Sequence, residues 1–300
     1  MTGPKIPKQA LWTADTRTAL LLMLPSLIGF GTFFALPALR GLYISFNEWD
    51  LFSDPQLIGF RNYAQLFSDS EYWNSLRVTV LYVIYNIPIQ TAIGLLLAVA
   101  CTRMRSSTVM RGFLILPWLL PNVLVGLLFL WLLDPLLGIV NEFIVSLGAT
   151  RVPFLTSTGS ALGSIAGINI WRHVGYTSLL FFAGLQAIPK SLYEAAQIDG
   201  ANAARRFWSI TLPLVRPVMT FVVITSVIGS FQLFDTVAVT TEGGPTNSTE
   251  VMIWFIFKHA FERFNMGYAT AASMVLFLIL LAFTIAYMKY ARAGESDLGS

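Results

Sequence analysis

The sequence predicts an all-α polytopic membrane protein with six transmembrane helices, on three observations. Of its 300 residues, 55% are hydrophobic and only 12% are charged, about half the ~25% charged share of a soluble domain. Several apolar runs reach the ~20 residues a helix needs to cross a hydrocarbon core ~30 Å thick. The period-2 alternation of a membrane β-barrel is absent from those runs.

The six spans read as residues 18–39, 78–101, 112–133, 161–186, 218–234 and 270–288. The first follows Lys5, Lys8 and Arg17, as a signal peptide would. It is too long for such a peptide's apolar region and lacks a small-x-small cleavage site, so it reads as a retained span. Prolines 25, 37, 88, 117 and 121 fall in or beside spans. They mark kinks, or hinges of a moving pathway, where neighbouring helices or water satisfy the freed carbonyls.

Basic residues in short loops set the orientation. Lys5, Lys8, Arg17, Arg103, Arg105, Arg111, Lys190, Arg205, Arg206, Arg216, Lys289 and Arg292 gather on one side, twelve of the 19. The other side holds most acids, among them Glu48, Asp50, Asp69, Glu71, Glu142, Asp235 and Glu250. Both ends of the chain, residues 1–17 and 289–300, are therefore expected in the cytoplasm around a membrane domain at 18–288. One cysteine, Cys101, excludes an internal disulfide framework. That thiol and two histidines make a poor transition-metal set. The basic residues form no run, so nothing points to nucleic acid.

One cytoplasmic connection, residues 189–217, is unusually polar and amphipathic. Ser191 and Glu194 have capping-box spacing, which predicts a helix over 192–199. Gly200 suits the left-handed residue that ends it. A second helix is expected over 201–210, stopped by Pro213 and Pro217. Alanines 195, 196, 201, 203 and 204 leave a slim surface for another protein to approach. An ordinary interfacial hairpin would look similar.

The spacing narrows the choice. Glu194-Ala195-Ala196, Gly200, and Ile210-x-Leu212-Pro213 resemble the EAA loop of permease subunits in binding-protein-dependent ABC importers. Asp199 falls within the same loop. Gly59-Phe60-Arg61-Asn62-Tyr63 resembles that family's first external loop, and residues 117–131 with Gly138 and Asn141 its third span. Residues 183–189 are similar to its lead-in to the EAA loop. Thr241-Glu242-Gly243-Gly244-Pro245 and Met266-Gly267-Tyr268-Ala269 resemble its last external loop. Within the family the chain looks like the MalF/UgpA type of carbohydrate importer, without the extra spans and large insertion of the maltose prototype.

The resemblance implies a type I importer fold that works by alternating access in the bacterial inner membrane. Its partners would be ATPase subunits docked on Glu194, Ala195, Ala196, Asp199, Gly200, Ile210, Leu212 and Pro213, a second homologous permease, and an extracytoplasmic binding (lipo)protein. The chain has no Gly-x4-Gly-Lys-Ser/Thr P-loop, so it would hold no cofactor and be no enzyme. ATP and magnesium would sit on the partner ATPase. Glu194 would contact that ATPase or close its own helix cap.

The implied substrate is a di- or oligosaccharide. A glycerophosphodiester or an sn-glycerol-3-phosphate-like polyol phosphate is the alternative. A sugar pathway needs hydrogen-bonding groups and aromatic faces inside the membrane. Asn86, Gln90, Asn169, Arg172, Phe231, Gln232, Phe234 and Asp235 supply them, with Tyr82, Ser230 and His173 nearby. An ionisable group within a span defaults to function because burying it in lipid is costly. Arg172 would line the pathway or pair with a partner subunit, and Phe231 and Phe234 would line it or pack in the core. An ion-coupled secondary transporter would need carboxylates inside the spans, whereas almost every Asp and Glu lies in a loop or at a span end. An intramembrane enzyme would need a catalytic pair, and no motif links Asp235 to His173.

Overall fold

The computed structural model describes residues 14–104 and 107–295. Lys5, Lys8 and Arg105 lie outside them. The chain opens with α1 (Ala14–Phe30), a π-helical turn (Gly31–Ala35) and α2 (Leu36–Ile44). These join into one rod, and none of its apolar window is buried within the chain. Leu21, Leu22 and Phe33 are each at least 70% exposed, so this rod requires lipid or a partner around it. The wider π turn sits just before Pro37, which has no N–H to continue the helical ladder.

A two-residue antiparallel pair follows, β1 (Asn47–Glu48) and β2 (Gln56–Leu57), with Asn47 opposite Leu57. It is the small exception to an otherwise helical chain. After α3 (Arg61–Ser68) comes α4 (Ser70–Arg103). Asp69 caps α4 by accepting from the Glu71 N–H at 2.8 Å, as a carboxylate at a helix start should. α4 continues through Pro88 as one helix of 34 residues, so this proline does not divide it.

The expected third span is broken. α5 (Ser107–Leu119) and α6 (Asn122–Leu132) meet at 91°, with Pro121 at the start of α6. Beyond α7 (Ile139–Ser146), α8 (Ala161–Gln186) matches its expected limits. Next come α9 (Lys190–Ile198), α10 (Ala203–Arg206), a π turn and α11 (Leu212–Leu214). α12 (Arg216–Phe231), α13 (Asp235–Thr240) and α14 (Met252–Phe257) lead through a last π turn to α15 (Met266–Glu295). α15 passes the expected boundary at 288, so no helix end marks a tail there.

Among the described residues, four helices are long and apolar enough to cross a membrane, five if the bent pair counts as one. α8 accounts for the difference from six. Its 26 residues suffice in length, but Asn169, Arg172 and His173 lower its apolarity. It is shielded instead, because α4 runs against it in the most extensive helix contact of the chain. Gly175 brings α8 against α5, since a Cβ there would lie 1.6 Å from the Leu114 carbonyl oxygen.

An ion network ties the start of α4 to the connection before α15. Glu71 accepts from Arg263 at 2.8 and 3.0 Å and pairs with Lys258 at 2.7 Å. Lys258 also pairs with the fully buried Glu250, and the Tyr268 hydroxyl donates to Asp69 at 2.5 Å. Asp69, Glu71 and His259 place ligand-type atoms within 4.8 Å of one another, but Lys258, Arg263 and Tyr268 already occupy the carboxylates. Burial works against the Lys258 charge, yet its bonds to Glu250 and Glu71 hold its pKa above the ordinary value. Burial, reinforced by Arg263, pushes His259 down to about 4. Arg263 donates to His259 Nε2 at 2.8 Å, which requires a neutral ring.

A histidine whose pKa falls on folding binds protons more readily when unfolded. Its contribution to stability is full above the unfolded pKa of ~6.5 and is lost as pH drops toward about 4. Melting temperature should therefore fall across that window, and the His259→Gln variant should show a shallower fall. An unchanged slope in the variant would assign the acid sensitivity to other groups.

Candidate functional site

Two features stand out, a polar cavity inside the helical bundle and an exposed helical segment at one end. The cavity has a volume of about 340 Å³, within the roughly 300–1,000 Å³ of small-molecule sites. α4, α8, α12 and the two helix breaks form its wall. Of the eight pathway residues expected from sequence, Asn86, Gln90, Asn169, Gln232, Phe234 and Asp235 line it.

Cross-helix hydrogen bonds fix most of these side chains. Asn86 Nδ2 donates to Ser230 Oγ at 3.1 Å, joining α4 to α12. Gln90 Nε2 donates to Thr177 Oγ1 at 2.8 Å, joining α4 to α8. Asn169 donates to the Tyr82 hydroxyl. Asn122 Nδ2 donates to Asp235 Oδ2 at 2.7 Å, linking the first residues of α6 and α13. Asn86 Oδ1 is buried without a hydrogen-bond partner, which leaves a free acceptor on a cavity-lining residue.

Two of the eight lie outside the lining, Phe231 by the core-packing alternative and Arg172 by pairing within its own chain. Phe231 does not line the cavity; it is buried in an apolar cluster with Tyr72, Met252 and Phe255, because α12 turns that face toward α15. Arg172 is not a lining residue either. Its Nε donates to the Leu120 carbonyl at 3.2 Å, and Nη2 donates to the Leu120 and Trp118 carbonyls at 2.9 and 3.2 Å. These carbonyls lie at the α5–α6 break, where the helix stops and Pro121 brings no N–H. A cation there also meets the negative end of the α5 dipole. Nη1 donates to His173 Nε2 at 2.8 Å, and His173 Nδ1 then donates to the Asn169 carbonyl at 3.0 Å. Arg172 thus pairs within its own chain and positions cavity residues on both sides of the break.

Sequence reasoning missed Trp118, Asn122, Tyr176, Thr177, Thr225 and Ser226, which also line the cavity. Trp118 and Tyr176 stack with ring centroids 4.8 Å apart. A signal existed. Asn169, His173, Tyr176 and Thr177 recur at helical spacing, as do Thr225, Ser226, Gly229 and Ser230, so each set shares one face.

The segment at the other end is built around Gly200. The Gly200 N–H donates to the Gln197 carbonyl at 3.0 Å and the Ala201 N–H to the Ala196 carbonyl at 2.8 Å. This is the Schellman arrangement, and the Gly200 φ of 75° supplies the left-handed residue it needs. The expected capping box does not form, since α9 begins at Lys190 with Pro189 as its cap. Glu194 is exposed and has no hydrogen-bond or ion-pair partner among the described residues. The second helix starts later than expected, is irregular, and does not stop before Pro213. Asn202 caps α10, a π turn over Phe207–Thr211 follows, and helical structure runs through Pro213 to Leu214.

Tyr193, Phe207, Ile210 and Leu212 pack onto the bundle core, and the Tyr193 hydroxyl meets Thr211 Oγ1 at 3.0 Å. Glu194, Ala195, Asp199 and Gly200 face outward beside Ile198, which is 87% exposed. Pro213 is half-buried and Ala196 partly covered. The segment therefore has an anchoring face and a free face.

Residues 90–292 match the family model described as the binding-protein-dependent transport system inner membrane component. The chain belongs to this family. It is 33% identical to the sulfoquinovosyl glycerol transport system permease protein SmoG of Agrobacterium fabrum, over 97% of this chain and 96% of that one. It is 34% identical to the sn-glycerol-3-phosphate permease protein UgpA of the same organism, covering 90% and 93%. It is 32% identical to the trehalose/maltose permease protein MalF of Thermococcus litoralis, covering 93% and 95%. A crystal structure of a bacterial ABC transporter that imports alginate has the same fold, with a TM-score of 0.82 at 24% identity, covering 94% and 98%. The chain is thus a multi-pass inner-membrane permease with the importer fold.

A Cβ added at Gly163 or Gly167 would meet nothing within 4 Å, and one at Gly159 would reach only the Ser157 hydroxyl, at 4.0 Å. The three glycines line an open groove of about 600 Å³ between α4 and α8, so this small-residue stripe serves no close packing among the described residues.

Replacing Arg172 with leucine should remove the donor to the part-buried Leu120 carbonyl, costing about 1–3 kcal/mol, and to the exposed Trp118 carbonyl, costing less. The purified complex should melt at a lower temperature and lose transport, and Arg172→Lys should recover part of both. Wild-type transport by Arg172→Leu would remove the bracing role.

Proposed function

We propose that this chain is the permease subunit of an ATP-driven importer that carries a neutral saccharide by alternating access. The composition of the cavity wall carries the substrate assignment. Asn86, Gln90, Asn122, Asn169 and Gln232 present amides, the Trp118–Tyr176 pair presents aromatic surface, and Asp235 is a carboxylate. Among the described residues, no lysine or arginine lines the space. Amides and a carboxylate suit hydroxyl groups, whereas a phosphate or sulfonate would meet the Asp235 carboxylate, and Arg172, the cation within electrostatic reach of Asp235, is engaged by backbone carbonyls outside the lining.

The second reading is a polyol phosphate, favoured by the 34% identity to an sn-glycerol-3-phosphate permease. The engagement of all three Arg172 nitrogens by Trp118, Leu120 and His173 weighs against it.

The termini and the 189–217 connection face the cytoplasm by the distribution of basic residues. There the free face of α9, with Glu194, Ala195, Ile198, Asp199 and Gly200, receives a separate ATPase subunit that binds ATP and magnesium. Ile210, Leu212 and Pro213 hold that face at a defined height above the bundle. A second permease completes the cavity, and an extracytoplasmic binding protein delivers the sugar. The support for this docking surface is that Glu194, Ile198 and Asp199 lie on the exposed face of a helix whose other face is anchored to the bundle.

The complete importer in liposomes should take up a neutral disaccharide such as trehalose when ATP is supplied. sn-Glycerol-3-phosphate should not compete with it. Efficient uptake of the phosphate would favour the second reading. Gly200→Asp forces an L-residue into the left-handed region, at about 1–2 kcal/mol. That variant and Glu194→Lys should insert normally but uncouple ATP hydrolysis from uptake. Normal uptake by either, in an intact complex, would defeat the docking assignment.

A further inference from the structure

Behind the anchoring face of α9 lies a second pocket, of about 510 Å³, between that helix and the ends of α4 and α8. Among the described residues, its charged lining residues are Arg103, Lys190 and Arg206, with no acid. None of the three side chains has a hydrogen-bond or ion-pair partner among the described residues. Glu194 and Asp199 lie on the same helical hairpin but outside the pocket lining. Three like charges converging on one concave space repel one another, and an anion relieves that repulsion. Gln186, Gln197, Thr102 and the Tyr193 hydroxyl add polar contacts around it.

The pocket continues into an apolar groove. Phe207 lines both. The groove, also about 510 Å³, is walled by Pro88, Ala92, Leu95 and Leu96 of α4, by Trp208, and by Met219 and Val223 of α12. Along α4, residues 88, 92, 95, 99 and 103 fall on one helical face, so the surface passes from hydrocarbon-like to cationic within a few turns. Trp208 is 66% exposed beside the groove, as an aromatic residue at a membrane interface would be.

We propose that this pocket and groove together bind one acidic phospholipid. Its phosphate sits among Arg103, Lys190 and Arg206, and an acyl chain lies along α4 past Phe207. A basic pocket between helices at the membrane surface has the chemistry for an anionic headgroup, and the adjoining groove distinguishes a lipid from a free phosphate. The bound headgroup would brace α9 from behind, opposite its free face.

The test uses the complete importer in nanodiscs of phosphatidylcholine, with and without phosphatidylglycerol. Native mass spectrometry counts the phosphatidylglycerol that survives removal from the nanodisc. The wild-type complex should retain it in preference to phosphatidylcholine. Arg103→Gln, Lys190→Gln and Arg206→Gln should each weaken retention about fivefold, and Leu95→Gln in the groove should weaken it while the three cations remain. Equal retention by the triple cation variant, or no preference for the anionic lipid, would overturn the site. Thermal stabilisation by inorganic phosphate without lipid retention would overturn the lipid assignment in favour of a soluble anion. Loss of the ATPase from the cation variants with lipid retention unchanged would assign these side chains to the partner instead.

Discussion

Backbone carbonyls inside a bilayer must find donors within the protein, and the break between α5 and α6 is where this constraint bites hardest. The chain turns by 91° there, leaving the Trp118 and Leu120 carbonyls at a helix end without the donors that a continuous helix would supply. Arg172 reaches across from α8 to bond both. The turn in turn places Trp118 at the end of α5 and Asn122 at the start of α6, both on the cavity. An arginine within a span thus serves as a structural brace, and the site it supports keeps Asp235 as its own charge.

The same constraint explains why polarity concentrates on α8. A helix carrying Asn169, Arg172, His173 and Thr177 is a poor lipid-facing span, and α4 and α5 cover it. Close approach is possible because Gly175 puts no side chain against the Leu114 carbonyl. The polar groups that remain uncovered face the cavity together with those of α12. By contrast, α1 is apolar over its span and stays unburied, as a helix facing lipid or a partner span can, while α2 packs beside α15.

At the other end, one short segment serves two surfaces. Tyr193, Phe207, Ile210 and Leu212 fasten it to the bundle, which leaves Glu194, Ile198 and Gly200 free. A rigid attachment is what transmission of a push through helices requires. The basic pocket lies beneath it, where a bound headgroup would brace the attachment.

Much of this was legible in the sequence because it depends on local rules. Apolar runs located the long helices, the α8 limits were right at both ends, and Gly200 had to be the left-handed residue between two helical pieces. Six of the eight expected pathway residues reach the cavity, since polar side chains inside spans have few other places to go. The capping box at Ser191 failed because Pro189 already begins the helix, a choice made by the chain leaving α8. What only the tertiary structure decided are the rotations and distances between helices. They buried Phe231 against α15, gave Arg172 two carbonyls in place of a pathway, and brought Tyr176 of α8 against Trp118 and Asn122 at the α5–α6 break. No periodicity within a single helix encodes which way its polar face points relative to its neighbours.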